Sequence, residues 1–257
     1  MNARESLTIA CLLAAASVSV AACGGEGGAE SEDFAAAADR ICAETARRDV
    51  DARRADPHSQ AEYLRQLRHN RKEALRELER LSPPAIDTER FAELLAIRRE
   101  AAIRIEDGID AADRGDVLAL NEFRGAARER VVTAQAIAAE IGLEACAGRL
   151  PARERAAVGE AIGAAVDPAR AEQFCTRHTT PVMLASRYGS VSTCVDAQAR
   201  RERTESVRID ELYGVAGVSA SAIVTLTRGA EVVGRFEVAL VHEGDSWRYD
   251  DASPVPG

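Results

Sequence analysis

Six cysteines, at positions 11, 23, 42, 146, 175 and 194, carry the clearest chemistry in this chain. A thiol can bind metal, shuttle electrons, take an acyl group or oxidise to a disulfide, and spacing tells these apart. No Cys-x-x-Cys occurs, so neither a redox motif nor a zinc ribbon is supported. Groups suited to acid–base work lie in the C-terminal part of the chain: His178, Tyr188, Asp196, Asp210 and Tyr213. Such a group must reach a substrate proton and have a tuned pKa. None of the five falls at a spacing that fixes a dyad. There is no glycine-rich phosphate loop, nucleophile elbow or HExxH pair, so no cofactor and no metal are expected. Arg114-Gly115-Asp116 is explained by a turn followed by a helix cap.

Cys23 stands apart because of what surrounds it. Arg4 and the amino terminus supply positive charge, and Leu7 to Val20 is apolar but short for a bilayer-spanning helix of about 20 residues. The pattern is that of a secretory leader, residues 1–22. Its ending, Val20-Ala21-Ala22-Cys23, resembles the lipobox of bacterial lipoproteins, with valine where leucine is usual. That resemblance implies cleavage before Cys23, diacylation of its sulfur, and membrane attachment outside the cytoplasm. Two acyl chains anchor stably where one does not, each buried CH₂ contributing roughly 0.8 kcal/mol. The same residues also suit an ordinary leader peptidase cutting after Ala22, so a plain secretory signal stays open.

In an exported protein the remaining four cysteines, Cys42, Cys146, Cys175 and Cys194, are expected in disulfides, for which three pairings exist. The elements decide among them. Residues 23–32 are glycine-rich and acidic, a tether. Ser31 can cap a first helix with Phe34, Ala38, Ile41 and Cys42 at helical spacing, and Asp56-Pro57 interrupts it. A second helix follows to the Ser82-Pro83-Pro84 stop, its Arg/Glu run from Arg65 to Arg80 reading as a solvated face with i,i+4 pairs. Asp87 caps a third helix, and a fourth runs after Gly115-Asp116 to Gly142, a C′ residue. Short connections predict an up-down-up-down bundle over residues 33–148, which brings Cys42 to Cys146 at one end. Cys175 then pairs locally with Cys194. The layout resembles a helical segment of uncharacterised exported proteins of actinobacteria, through Ala-Asp-Arg-Ile-Cys, Leu-Ser-Pro-Pro, Arg-Gly-Asp and Gly-Leu-x-x-Cys.

Residues 149–253 form a second region, with a tail at 254–257. Asp167-Pro168 and Thr180-Pro181 each restart a helix. After Ser206 the apolar period falls to two, with turns at Arg228-Gly229-Ala230 and Glu243-Gly244-Asp245. Helices followed by a curved antiparallel sheet make the chain α+β. The order, and the closing Val-His-Glu-Gly-Asp-Ser-Trp-Arg-Tyr-Asp-Asp, resembles the NTF2-like (SnoaL-like) cone superfamily. That likeness implies a cavity under the helices, which His178, Tyr188, Asp196, Asp210, Tyr213, Phe236 and Trp247 could line. Phe236 and Trp247 could equally fill it. A formal charge of -9 argues against a nucleic-acid binder, which needs a basic face. The functional expectation is a lipid-anchored envelope protein of binding or scaffold type, holding a small apolar ligand or an envelope protein partner. The alternative is an envelope isomerase or dehydratase working in the cone cavity.

Overall fold

A computed structural model describes residues 27–55, 59–201 and 206–255. The leader, Cys23 and Asp56-Pro57 lie outside the described residues. The protein is α+β. Four long helices come first: α1 (Gly27–Ala55), α2 (Gln60–Leu78), α3 (Thr88–Asp113) and α4 (Val117–Glu140). Then come α5 (Ala152–Val166), a 3₁₀ turn at Pro168–Arg170, α6 (Ala171–Arg177), α7 (Pro181–Met183, running on as a π turn through Leu184–Tyr188) and α8 (Val191–Ala199). The chain closes with a sheet of β1 (Ser206–Val215), β2 (Ser219–Arg228), β3 (Glu231–Glu243) and β4 (Ser246–Pro254).

Local chemistry explains most boundaries. Ser59 caps α2 by accepting from the Glu62 N–H at 3.2 Å, and Asp116 caps α4 through Ala119 at 3.0 Å. Thr180 and Ser190 cap α7 and α8 in the same way. Gly142 has φ +75°, and the Leu143 N–H reaches back to the Ala138 carbonyl at 2.9 Å, which is the expected Schellman ending. Three boundaries differ from the sequence reading. α1 already runs from Gly27, through part of the expected tether, because extending a formed helix costs far less than nucleating one. Asp87 precedes α3 but makes no side-chain cap, since its backbone is already helical. β4 reaches Pro254, and the Val255 N–H donates to Arg235 at 2.9 Å, so the tail is held to β3 at its first residues.

The sheet is an antiparallel meander in the order β1-β2-β3-β4. Register shifts at Ile209/Glu211, Leu226/Thr227 and Ala239/Leu240 bend its strands. Its inner face is Ala220, Ala222, Val224, Val238, Leu240, Trp247 and Tyr249, packed against Val158 and Ile162 of α5, Phe174 and Cys175 of α6, Met183 and Cys194. Phe174 meets Tyr249 edge-on at 5.3 Å.

The helical region departs from a closed bundle. α1 packs on α2, α2 on α3 and α3 on α4, whereas α1 and α4 share few direct contacts. They meet at one end, where Phe34, Ala38 and Ile41 join Ala134, Ile137, Ala138 and Ile141 in one apolar cluster. Cys42 and Cys146 are bonded there, with Cα atoms 5.2 Å apart. Asp39 reinforces this end by accepting the N–H groups of Glu144, Ala145 and Cys146 at 3.0, 2.9 and 3.2 Å. Toward the other end α4 parts from α1 but stays on α3, with Leu120 and Phe123 against Leu64, Ile105 and Ile109, while Val117 and Leu118 at its start are exposed. The outer face of the sheet stands opposite the gap. The Arg54–Glu243 and Arg128–Glu211 ion pairs, and the bond from the Gly214 N–H to the Gly148 carbonyl at 2.9 Å, join the two regions.

Candidate functional site

The residues proposed to line a cone cavity are divided between environments. His178 is buried as a brace between α6 and β4. Its Nδ1 lies 3.1 Å from the Trp247 carbonyl oxygen, and its own carbonyl accepts from the Tyr249 N–H at 2.7 Å. Tyr188 rests half-buried against the sheet core, its hydroxyl accepting from Gln198 Nε2 at 3.0 Å. Phe236 packs against the same core, and Trp247, 2% exposed, is part of it. Asp196 is exposed on α8. The space beneath the short helices is therefore filled, and the alternation of apolar residues along β2 to β4 is the reason: every second side chain enters one close-packed core. Cys175 and Cys194, bonded with Cα atoms 5.9 Å apart, pin α6 to α8 over it. Two disulfides persist in oxidising surroundings and point to a compartment outside the cytoplasm.

Asp210 and Tyr213 belong to the other, outer face. Asp210 sits at the β1 bulge and accepts from Thr225 Oγ1 at 2.5 Å and from Arg208 Nε at 2.6 Å. The Thr225 hydroxyl and then Arg208 hold its carboxyl below the usual range, which suits an ion-pair member rather than an acid catalyst. The Tyr213 hydroxyl donates to Glu237 at 3.2 Å, and burial, with the Glu237 charge, pushes the phenol up.

Tyr213 lines a cleft of about 720 Å³ between the splayed helices and the outer face of the sheet. That volume lies within the roughly 300–1,000 Å³ of small-molecule sites. Leu64 and Leu67 of α2, Ala102 and Ile105 of α3, and Ala127 and Val131 of α4 provide apolar walls. Ser221, Glu237 and Ala239 provide the opposite wall from the sheet.

A polar layer crosses the helices at this level and splits their apolar core in two. Leu64, Ile105 and Ile109 lie on one side, and the cluster around Leu78 and Leu94 on the other. Asp49 of α1 accepts from Asn70 Nδ2 at 3.0 Å and Arg71 Nη2 at 2.6 Å. Burial pushes its carboxyl up, against the pull of Arg71 and Asn70. Nearby, Arg53 lies over the Tyr63 ring at 5.1 Å, with Asp250 at 3.9 Å. Arg98 of α3 is half-buried in the same layer, and its Nε is wholly buried with no acceptor among the described residues.

Sequence periodicity contained this layer. In α3 the buried positions are Phe91, Leu94, Ala102, Ile105, Gly108, Ile109 and Ala111, and Arg98 falls four after Leu94 and seven before Ile105. In α2, Arg71 stands seven after Leu64 and three before Ala74. Arg98 thus occupies a core register, whereas Arg71 reaches Asp49 from an exposed position, in keeping with a solvated face over Arg65–Arg80. That run also pairs mainly between helices, as in Arg65–Asp113, Arg68–Glu106 and Arg71–Asp49, because neighbouring helices present carboxylates at closer range than the i+4 residue.

No group of three or more His, Cys, Asp or Glu suited to a metal ion occurs among the described residues. Among them, too, no helix is long and apolar enough to cross a membrane. Compared with protein-family models, curated proteins and solved structures, the chain gives no significant match.

Proposed function

We propose that this is a lipid-anchored protein of the cell envelope that acts by binding, not by catalysis, and that the cleft between its helices and the outer face of its sheet holds an apolar ligand. One observation carries the reading: the side of the sheet where a cone fold would keep its cavity is closed by Val238 and Trp247, while the opposite side faces a cleft with apolar helical walls and a charged layer. The short helices over a four-stranded meander support a relationship to the NTF2-like cone fold, with the binding space moved to the other face. Anchoring is proposed from Val20-Ala21-Ala22-Cys23, outside the described residues.

Two measurements test this reading. Mass spectrometry of lipid extracts from the natively purified protein should find a co-purifying amphiphile, lost when Ala127→Trp fills the α4 wall. An equal yield from both proteins refutes the cleft as the binding site. Cys23→Ala should release the protein from the membrane fraction, and retention there refutes the anchor.

A further inference from the structure

Resting on the reading of the cleft as an apolar-ligand site, we propose that its ligand carries a single anionic headgroup, a carboxylate or phosphate monoester on an acyl chain, and that the Arg98 guanidinium is the group that holds it.

The argument begins with charge. The whole chain is acidic, at a formal -9. Yet seven arginines against four carboxylates line the cleft, an excess of three positive charges. Most of these cations are already engaged. Arg53 lies 3.9 Å from Asp250, Arg71 is bonded to Asp49, Arg128 to Glu211, and Arg130 to Glu100 at 2.9 Å. Arg124 donates to Gln60 and is exposed, as is Arg187. Arg98 differs. No carboxylate among the described residues lies within 4.0 Å of it, and its Nε is sealed from solvent with nothing to accept its proton. The nearest charge that acts on it is another cation, Arg71.

An isolated cation at a core position is destabilising, because burial removes its hydration and no partner replaces it. Most basic side chains relieve this by losing the proton, but a guanidinium stays charged in this environment. Burial, and then Arg71, push Arg98 down to about 10, still well above any physiological pH. Water in the cleft can serve the outer nitrogens but brings no compensating charge. A carboxylate or phosphate matches the outer, Nη edge of the Arg98 fork in charge and geometry, forms two parallel charge-assisted bonds there and supplies the missing counter-charge.

The surroundings specify the rest of the ligand. Ala101 and Ala102 follow Arg98 at three and four positions along the same face of α3, and Leu67, Ile105, Ala127 and Val131 line the same cleft. A bare inorganic anion leaves that wall wet, and a neutral hydrocarbon leaves Arg98 without a counter-charge. A chain ending in one anion satisfies both. The same headgroup chemistry arises from a free fatty acid or from a lysophospholipid, and the test separates them.

The full chain is produced unacylated in an oxidising host and titrated with palmitate, 1-palmitoyl lysophosphatidate and hexadecanol. Arg98→Met and Arg98→Lys are measured beside it. Palmitate or lysophosphatidate should bind about 10- to 100-fold more tightly than hexadecanol, the range of a hydrogen bond to a charged group. Arg98→Met should abolish that preference while melting no lower than the parent, because it removes an unpaired charge and keeps the volume. Arg98→Lys should recover part of the preference. The tighter anion identifies the source as fatty acid or lysophospholipid, and either result supports the proposal. Equal binding of all three ligands, unchanged by Arg98→Met, overturns the headgroup assignment and leaves the apolar cleft standing. Failure of all three to bind overturns the cleft reading as well.

Discussion

Replacing Cys42 and Cys146 by alanine removes the bond that holds α1 to the end of α4. The sequence separation is 104 residues, and chain-entropy reasoning assigns closure of such a loop about 4.7 kcal/mol at 25 °C. Cys175–Cys194 closes a loop of 19 residues, for which the same reasoning gives about 3.2 kcal/mol. All four cysteines are buried to a similar degree, so the packing lost on substitution is comparable and the difference of about 1.5 kcal/mol should survive it. Urea denaturation without reductant measures both variants. Trp247, the one tryptophan, sits in the sheet core and reports that region, while far-ultraviolet circular dichroism is dominated by α1 to α4. The Cys42→Ala/Cys146→Ala variant should lose its helical signal at lower urea than the parent. If the two regions unfold as one through contacts such as Arg54–Glu243, the Trp247 signal should shift with it. A cost under about 1 kcal/mol, or a larger cost from the shorter loop, would refute the view that loop closure governs stability here.

Three further outcomes are expected. Asp39→Ala removes the acceptor for three backbone N–H groups beside Cys146 and should destabilise by about 2–3 kcal/mol, with Asp39→Asn recovering part, both read by urea midpoint. The Asp210 carboxyl is held below its unfolded value by Thr225 and Arg208, so its contribution is present above about pH 4 and lost as pH falls through the folded value; Asp210→Asn should flatten the decline of the melting temperature below that pH. Gly108→Ala would set a Cβ 2.6 Å from the Phe123 ring where α3 meets α4; despite the better helix propensity, the displaced ring should leave the variant about 1–2 kcal/mol less stable in the same urea assay.

Much of the fold can be read from local rules. Ser59, Asp116, Thr180 and Gly142 act where a cap or a positive φ is needed, because capping depends on a few adjacent residues. Cys42–Cys146 followed from an antiparallel order of helices and Cys175–Cys194 from short range. The site was harder to find. Arg98 breaks the apolar register of α3, yet a charged residue on a helix reads as solvated until its neighbours are known. His178 and Trp247 were candidates on chemical type, but whether such groups work or merely pack depends on what stands 3 Å away.

By itself the sequence determined the α+β order, the change from helical to alternating period after Ser206, and an acidic body with four paired cysteines. These follow from short-range propensity and from thiol chemistry in an oxidising compartment. Only the tertiary structure decided that α1 and α4 splay, that the inner face of the sheet is full, and that Arg98 is left without a counter-charge beside the resulting cleft. The physical reason is that packing and charge compensation are sums over residues distant in the chain. A helix specifies which of its faces is apolar, but not how much of that face its neighbours will cover.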